Sequence, residues 1–328
     1  MPDETQPGPK RGRRRIRHIL IACLGIYGCI LLGDFAYSRV VTRRHRQWES
    51  TVKRNADGVR AGCESFAIGT GETALLLIHG INDSPHFYYK MAPQLAKQGY
   101  ACHAIRLPGF AKPTAEYAQA TRQEWVAAVN AKVQDLRKTH PRVCIVAHSL
   151  GAAVVIQHLL QNPSSVDAVV LLAPGIAVAN HRSPLLPVRT WQTIANTMLI
   201  FTRITESPFP IDAQDPLEAN SVFRTPFTPR ETIRETLLLF DENRSRAAEL
   251  QVPLLMVLAA HDQVIDLDAA RAFFAETEST RKALRVMPDA GHALAVDYGW
   301  EDLTGHITTF VRTVETSATT ETPVQPNR

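Results

Sequence analysis

The chain has 328 residues, 45% apolar and 21% charged, which is enough to bury a large core and too apolar for a disordered protein. Its formal charge of +4 is unevenly spread: residues 1–60 hold 13 Lys and Arg against five Asp and Glu, and the remainder holds 23 against 27. The bulk of the chain is thus mildly acidic, which argues against nucleic acid as a partner and assigns the basic surplus to the N-terminal arm.

That arm, residues 1–18, carries Lys10, Arg11, Arg13, Arg14, Arg15 and Arg17 and is read as cytoplasmic. A charge-free apolar run follows over residues 19–32. With its flanks, residues 16–37, it makes roughly 33 Å of helix, enough to span a bilayer with Arg17 snorkelling and Asp34 near the far headgroups. Residues 19–37 are therefore expected to be a transmembrane signal anchor. Six basic residues before it outnumber the four that follow closely, Arg39, Arg43, Arg44 and Arg46. This places the rest of a single-pass protein on the extracytoplasmic, periplasmic side of the membrane. Ala36-Tyr37-Ser38 has a small-x-small cleavage pattern, so export after signal cleavage is the alternative. Residues 38–60 read as a basic linker.

Beyond residue 60, short apolar runs alternate with helical patterns. Strands are expected near 63–68 and at 74–78, 101–106, 143–147, 168–172, 252–258 and 283–288. Helices are expected from Ser84-Pro85, over about 121–138, and behind Ser149. This alternation predicts a doubly wound, mostly parallel sheet. Residues 175–250 break the rhythm with several prolines and with Trp191, Phe201, Phe209, Phe223, Phe227 and Phe240. The tail, residues 313–328, is rich in Thr, Pro and Glu and predicts disorder. No spacing of Cys or His suggests a metal site and no glycine-rich loop suggests a phosphate cradle, so no metal and no cofactor is expected.

The apolar strand ending at Ala147 runs straight into His148-Ser149-Leu150-Gly151. A serine at the tip of such a strand-to-helix turn, with small residues two positions either side, has the pattern of a nucleophile elbow, here with Ala147 where glycine is usual. A serine hydroxyl needs a base and a carboxylate to orient that base. Asp262 lies just beyond the strand at 252–258, and Gly291-His292 follows the strand at 283–288. Asp266 and Asp268, rivals of Asp262, read as the start of the next helix. Asp289 is a weaker rival, and His261 is expected to point away.

Taken in order, His79-Gly80 after one strand, Arg106-Leu107-Pro108-Gly109 after the next, the elbow at Ser149, Leu171-Leu172-Ala173-Pro174, Asp262 and Gly291-His292 resemble the α/β-hydrolase superfamily. Within it they are similar to the carboxylesterase, monoacylglycerol lipase and serine aminopeptidase branch, over residues 74–310. The resemblance implies an α/β-hydrolase fold with a catalytic domain at 61–174 and 251–312 and a helical cap, or lid, inserted at 175–250. It implies a triad of Ser149, His292 and Asp262, and an oxyanion hole from the Ile81 and Leu150 N–H groups. His79, Gly80, His148 and Gly151 would shape the loop and elbow. The expected activity is hydrolysis of carboxylic esters through an acyl-enzyme, on single-chain lipid-like or short-to-medium acyl esters. Thioester hydrolysis, acyl transfer and peptide cleavage use the same residues, and a membrane-tethered binding protein without chemistry is a reading from another class. The resemblance also sets the strands of Cys63 and Cys102 side by side, where a disulfide or two buried thiols would fit.

Overall fold

The computed structural model describes residues 10–180, 186–207, 211–219 and 221–320. Its strands, in chain order, are β1 (Phe66–Ile68), β2 (Thr73–Ile78), β3 (Ala101–Ile105), β4 (Arg142–His148), β5 (Ala168–Leu172), β6 (Ile204–Glu206), β7 (Phe227–Pro229), β8 (Leu254–Ala259) and β9 (Lys282–Met287). Seven of them form one sheet in the order β1-β3-β2-β4-β5-β8-β9. Every pairing is parallel except β1 with β3. The middle strands are near-continuous apolar runs, TALLLI in β2 and LLMVLA in β8, buried at every position. Helices covering both faces of a parallel sheet require that pattern.

The helices are α1 (Lys10–Glu49), α2 (Met91–Lys97), α3 (Thr114–Gln119), α4 (Arg122–Arg137), α5 (Leu150–Gln161), α6 (Val188–Met198), α7 (Pro216–Ala219), α8 (Arg230–Arg244), α9 (Leu267–Glu276) and α10 (Trp300–Thr320). Thr121 opens α4 with a complete capping box to Glu124, which satisfies orphan donors at both ends of the exchange. Ser84 caps nothing: it precedes a short 3-10 turn, Pro85–Tyr88, without a side-chain bond.

The chain steps from β2 outward to β3 and then back across β2 to β4. Direction therefore reverses between β2 and β4, where the loops leaving the carboxyl ends of two adjacent strands diverge and open a crevice. His79 to Asp83 leave β2 there and Ser149 leaves β4. Between β5 and β8 the chain departs from the sheet to form α6, α7, α8 and the antiparallel pair β6 and β7. This insertion corresponds to the interruption seen at 175–250; Phe209 lies outside the described residues.

Three expectations change, and of the two alternatives for Cys63 and Cys102 the structure has the thiols. The basic linker at 38–60 is helical as far as Glu49, because α1 runs on without a break and packs against the insertion. Val41 is buried, the rings of His45 and Trp48 lie 5.3 and 5.7 Å from that of Phe227, and Arg44 pairs with Glu206 at 2.5 Å. Residues 14–49 make a helix long and apolar enough to cross a membrane. The tail is helical through Thr320, since Phe310, Val311 and Val314 are buried and Glu315 accepts a hydrogen bond from Thr73 Oγ; residues 321–328 lie outside the described residues. Cys63 and Cys102 are both free, buried thiols. The antiparallel register sets Ile68 opposite Cys102, which leaves Cys63 beyond the end of β1, packed with Val59, Ala111 and Phe223. Finally, the strand expected from residue 63 begins only at Phe66.

The buried Asp34 carboxylate holds the insertion to α1. It accepts hydrogen bonds from the backbone N–H groups of Ile200 (2.7 Å), Phe201 (2.8 Å) and Thr202 (3.1 Å). Asp34→Ala strands these donors, at a cost of about 1–3 kcal/mol for a buried group left unsatisfied. The expected result is faster amide hydrogen exchange at 200–202, with the exchange of β4 and β5 unchanged.

Candidate active site

Ser149 sits at φ +53°, ψ −117°, a backbone conformation that costs an L-residue on the order of 1–3 kcal/mol and persists only where its surroundings impose it. Ser149 N–H donates to Leu172 O at 2.9 Å, while its own carbonyl accepts from Ala153 (3.2 Å) and Gly175 (3.1 Å). Gly151 is obligatory: a Cβ there would lie 2.4 Å from His79 O and 2.7 Å from Ile78 O. Ala147, at the position where the sequence departs from glycine, is fully buried within β4.

Three predicted residues meet at this tip. His292 Nε2 lies 2.8 Å from Ser149 Oγ, and His292 Nδ1 lies 2.8 Å from Asp262 Oδ2. An ionised carboxylate can only accept, so the imidazole proton belongs on Nδ1 and Nε2 is free to accept the serine proton. The other oxygen of Asp262 accepts from Val264 N–H (2.8 Å) and Ile265 N–H (3.0 Å). Burial raises the Asp262 carboxyl pKa, but its electrostatic and hydrogen-bond interactions with His292 and these backbone hydrogen bonds outweigh it, and the net shift is downward. Asp262 thus favours the folded state above the unfolded pKa of about 3.9, and that contribution is lost as pH falls through the lower folded value. Its rivals are elsewhere: Asp266 caps α9 by accepting from Ala269 N–H, and Asp289 and His261 are exposed.

The loop after β2 faces the elbow. A Cβ on Gly80 would lie 2.8 Å from His148 Nδ1 and 3.1 Å from Ser149 Cβ, so glycine is what lets this loop approach. Ile81 N–H bonds no backbone acceptor among the described residues, and Leu150 N–H is one of the orphan donors at the start of α5.

Residues 70–298 match the family described as Serine aminopeptidase, S33. The chain belongs to that family of α/β hydrolases. It is 22% identical over 244 residues to the thermostable monoacylglycerol lipase of Bacillus sp. (strain H-257), covering 73% of this chain and 90% of the lipase. It is 24% identical over 232 residues to a carboxylesterase of Bacillus subtilis (strain 168), covering 71% and 89%. Among solved structures, a metagenome-derived lipolytic enzyme superposes with a TM-score of 0.69 at 18% identity, covering 78% of this chain and 99% of that one.

Other parts of this S33 family member's site were not legible in the sequence. Asp212, in the insertion, accepts through one oxygen from Gln263 N–H (2.6 Å) and His292 N–H (3.2 Å), and its carbonyl accepts from Ala293 N–H (2.9 Å). One carboxylate thus ties the acid loop to the base loop. Arg224, also in the insertion, donates to Ile81 O (3.1 Å) and lies 3.7 Å from Asp83. Asn82, at φ +62°, donates to Ser207 Oγ and Thr228 Oγ, and its carbonyl accepts from Thr225 N–H. The loop after β2 is therefore held from the insertion as well as from its own strand. His148 Nε2–H donates to His292 O at 2.9 Å and its ring stacks on Phe87; burial pushes its pKa well down, so it stays neutral.

His79 is fully buried, which lowers its pKa to about 4. Leu107 N–H donates to its Nε2 (3.2 Å), leaving Nδ1–H to donate to Gly80 O (2.9 Å). The folded value lies below the unfolded value of about 6.5, so the contribution is complete above that pH and declines as pH falls toward about 4. One such proton corresponds to a slope of at most about 1.4 kcal/mol per pH unit. Urea unfolding at a series of pH values should give a slope in this window shallower by about one proton in His79→Gln.

Proposed function

We propose that the protein hydrolyses carboxylic esters through an acyl-enzyme, and the observation that carries this reading is the unbroken line from Ser149 through His292 to Asp262, both contacts at 2.8 Å. Ser149 Oγ attacks the acyl carbon as its proton passes to His292 Nε2, with Asp262 holding the imidazole and compensating its new charge. The carbonyl oxygen becomes an oxyanion, stabilised by the N–H groups of Ile81 and Leu150. Collapse breaks the ester bond, and His292 returns its proton to the departing alcohol. Water, deprotonated by the same nitrogen, then releases the acid and restores Ser149.

The leaving group must lie on the His292 side to receive that proton. A small cavity of about 40 Å³ beside His292 is lined by Asp83, Asp212 and Arg224 together with Phe87, Phe223 and Val296. The monoacylglycerol lipase and carboxylesterase relatives support an acyl ester as the substrate; in this reading the insertion acts as the cap, and α1, long and apolar enough to cross a membrane, acts as the anchor. The two 2.8 Å contacts that join Ser149, His292 and Asp262 disfavour a binding protein without chemistry.

The test is the initial rate on p-nitrophenyl esters of increasing acyl length, on matched thioesters and on amino-acid amides, with full-length protein and Ser149→Ala as control. The expected outcome is serine-dependent turnover of the esters, with an optimum in chain length. Turnover confined to thioesters or amides would sink the ester reading.

A further inference from the structure

A second cavity lies away from the catalytic serine, between α1 and the insertion. It has a volume of about 460 Å³ and is lined by Tyr37 of α1, by Trp191 and Leu199, by Ile233 and Leu237 of α8, and by Val264. That volume falls within the range of small-molecule sites, about 300–1,000 Å³, and its walls are mainly apolar, as such sites are. Ser149 and His292 do not line it. Val264 joins it to the catalytic machinery, because the Val264 N–H is held by Asp262.

Its position relative to α1 narrows the ligand. Tyr37 stands five residues beyond the apolar run that ends at Leu32, or about 7.5 Å along the helix. Asp34, between them, binds the backbone of Ile200, Phe201 and Thr202, which fixes the end of α6 at the same level. Ile200 is 54% exposed, Phe201 46% and Trp191 41%, and α6 buries none of its residues fully. Large apolar side chains left open in a cluster next to an apolar helix mark a surface meant for lipid. Since Tyr37 and Trp191 are both walls of the cavity and both accessible, the cavity opens between α1 and α6, at the level where α1 leaves its apolar run.

We infer that this groove binds a single lipid acyl chain drawn from the bilayer, with α1 forming one wall of a ligand site as well as anchoring the protein. This rests on the reading of α1 as a membrane helix. The groove receives a chain laterally, beside the acid loop, without the chain first crossing water.

Trp191 lines the groove and reports on it directly. The experiment uses full-length Ser149→Ala protein in phosphatidylcholine vesicles, so that neither turnover nor its absence affects the readout, and titrates dibromostearate while following tryptophan emission. Trp191→Phe identifies the Trp191 component. The expected result is saturable quenching of that component, with Ala195→Phe and Leu199→Phe, which fill the groove from α6 and its end, each raising the half-saturating dibromostearate about tenfold or more. Absence of quenching at Trp191 overturns the inference. So does quenching of equal strength in both filled variants, because the bromines would then act from the bulk bilayer. Flotation of the same vesicles reads the anchoring of α1 separately, and the ester rates read the hydrolase chemistry separately.

Discussion

Ser149→Ala yields a folded protein that neither turns over esters nor reacts with a fluorophosphonate probe. Among the described residues the hydroxyl bonds to His292 Nε2, and the strained backbone at φ +53° is imposed by the Ser149 N–H bond to Leu172 O and by the bonds its carbonyl accepts from Ala153 and Gly175 N–H, all of which alanine keeps. Stability should therefore change little. Removing the nucleophile of a comparable triad costs about 10⁶ in kcat and leaves roughly 10³–10⁴ over water from oxyanion stabilisation and binding. Labelling that survived in the variant would move the nucleophile to another residue.

Asp262→Asn has the second largest effect and separates chemistry from folding. The asparagine carbonyl can still accept from Val264 and Ile265 N–H, so the loop before α9 should hold. Its amide group then faces His292 Nδ1 and donates to it, which moves the imidazole proton to Nε2, where it points at Ser149 and cannot accept. A loss of about 10⁴ in kcat is expected from a wrong tautomer of this kind, with KM for a short ester little changed. Asp262→Ala should lose both activity and stability, because two backbone donors are then stranded. A mild effect of Asp262→Asn, within about tenfold, would place the orienting acid elsewhere.

The features legible in the sequence are those whose cause is local. Buried parallel strands must be apolar at successive positions, so β2, β4, β5 and β8 were readable from their composition. The elbow was readable because Gly151 is required two residues from Ser149, where a side chain would strike His79 and Ile78. Asp262 could be told from Asp266 by the helix that Asp266 begins. The hidden features join distant residues without periodicity. Asp212 meets Gln263 and His292 from 51 and 80 positions away, and Arg224 meets Ile81 from 143; no local pattern marks either residue. The helical course of 38–49 did leave a signal. Asp34, Ser38, Val41 and His45 are buried at spacings of four, three and four, a helical stripe masked because three of its members are polar and arginines stand between them. The α10 extension was masked in a similar way, with Val311 and Val314 buried among threonines that look like a tail.

A flexible linker would let the catalytic domain tumble above the lipid. The unbroken α1, bonded to the insertion through Asp34, Arg44, His45 and Trp48, instead acts as a strut. From Asp34 to Glu49 it rises about 22 Å, and the carboxyl edge of the sheet keeps one fixed orientation relative to the helix axis. With α1 in a bilayer and a lipid ester as substrate, as proposed, encounter becomes a search in two dimensions by a domain that already faces the right way. A chain trimmed to begin at Arg39 loses Asp34 and Tyr37 together, and with them the hydrogen bonds that hold residues 200–202 of the insertion to α1.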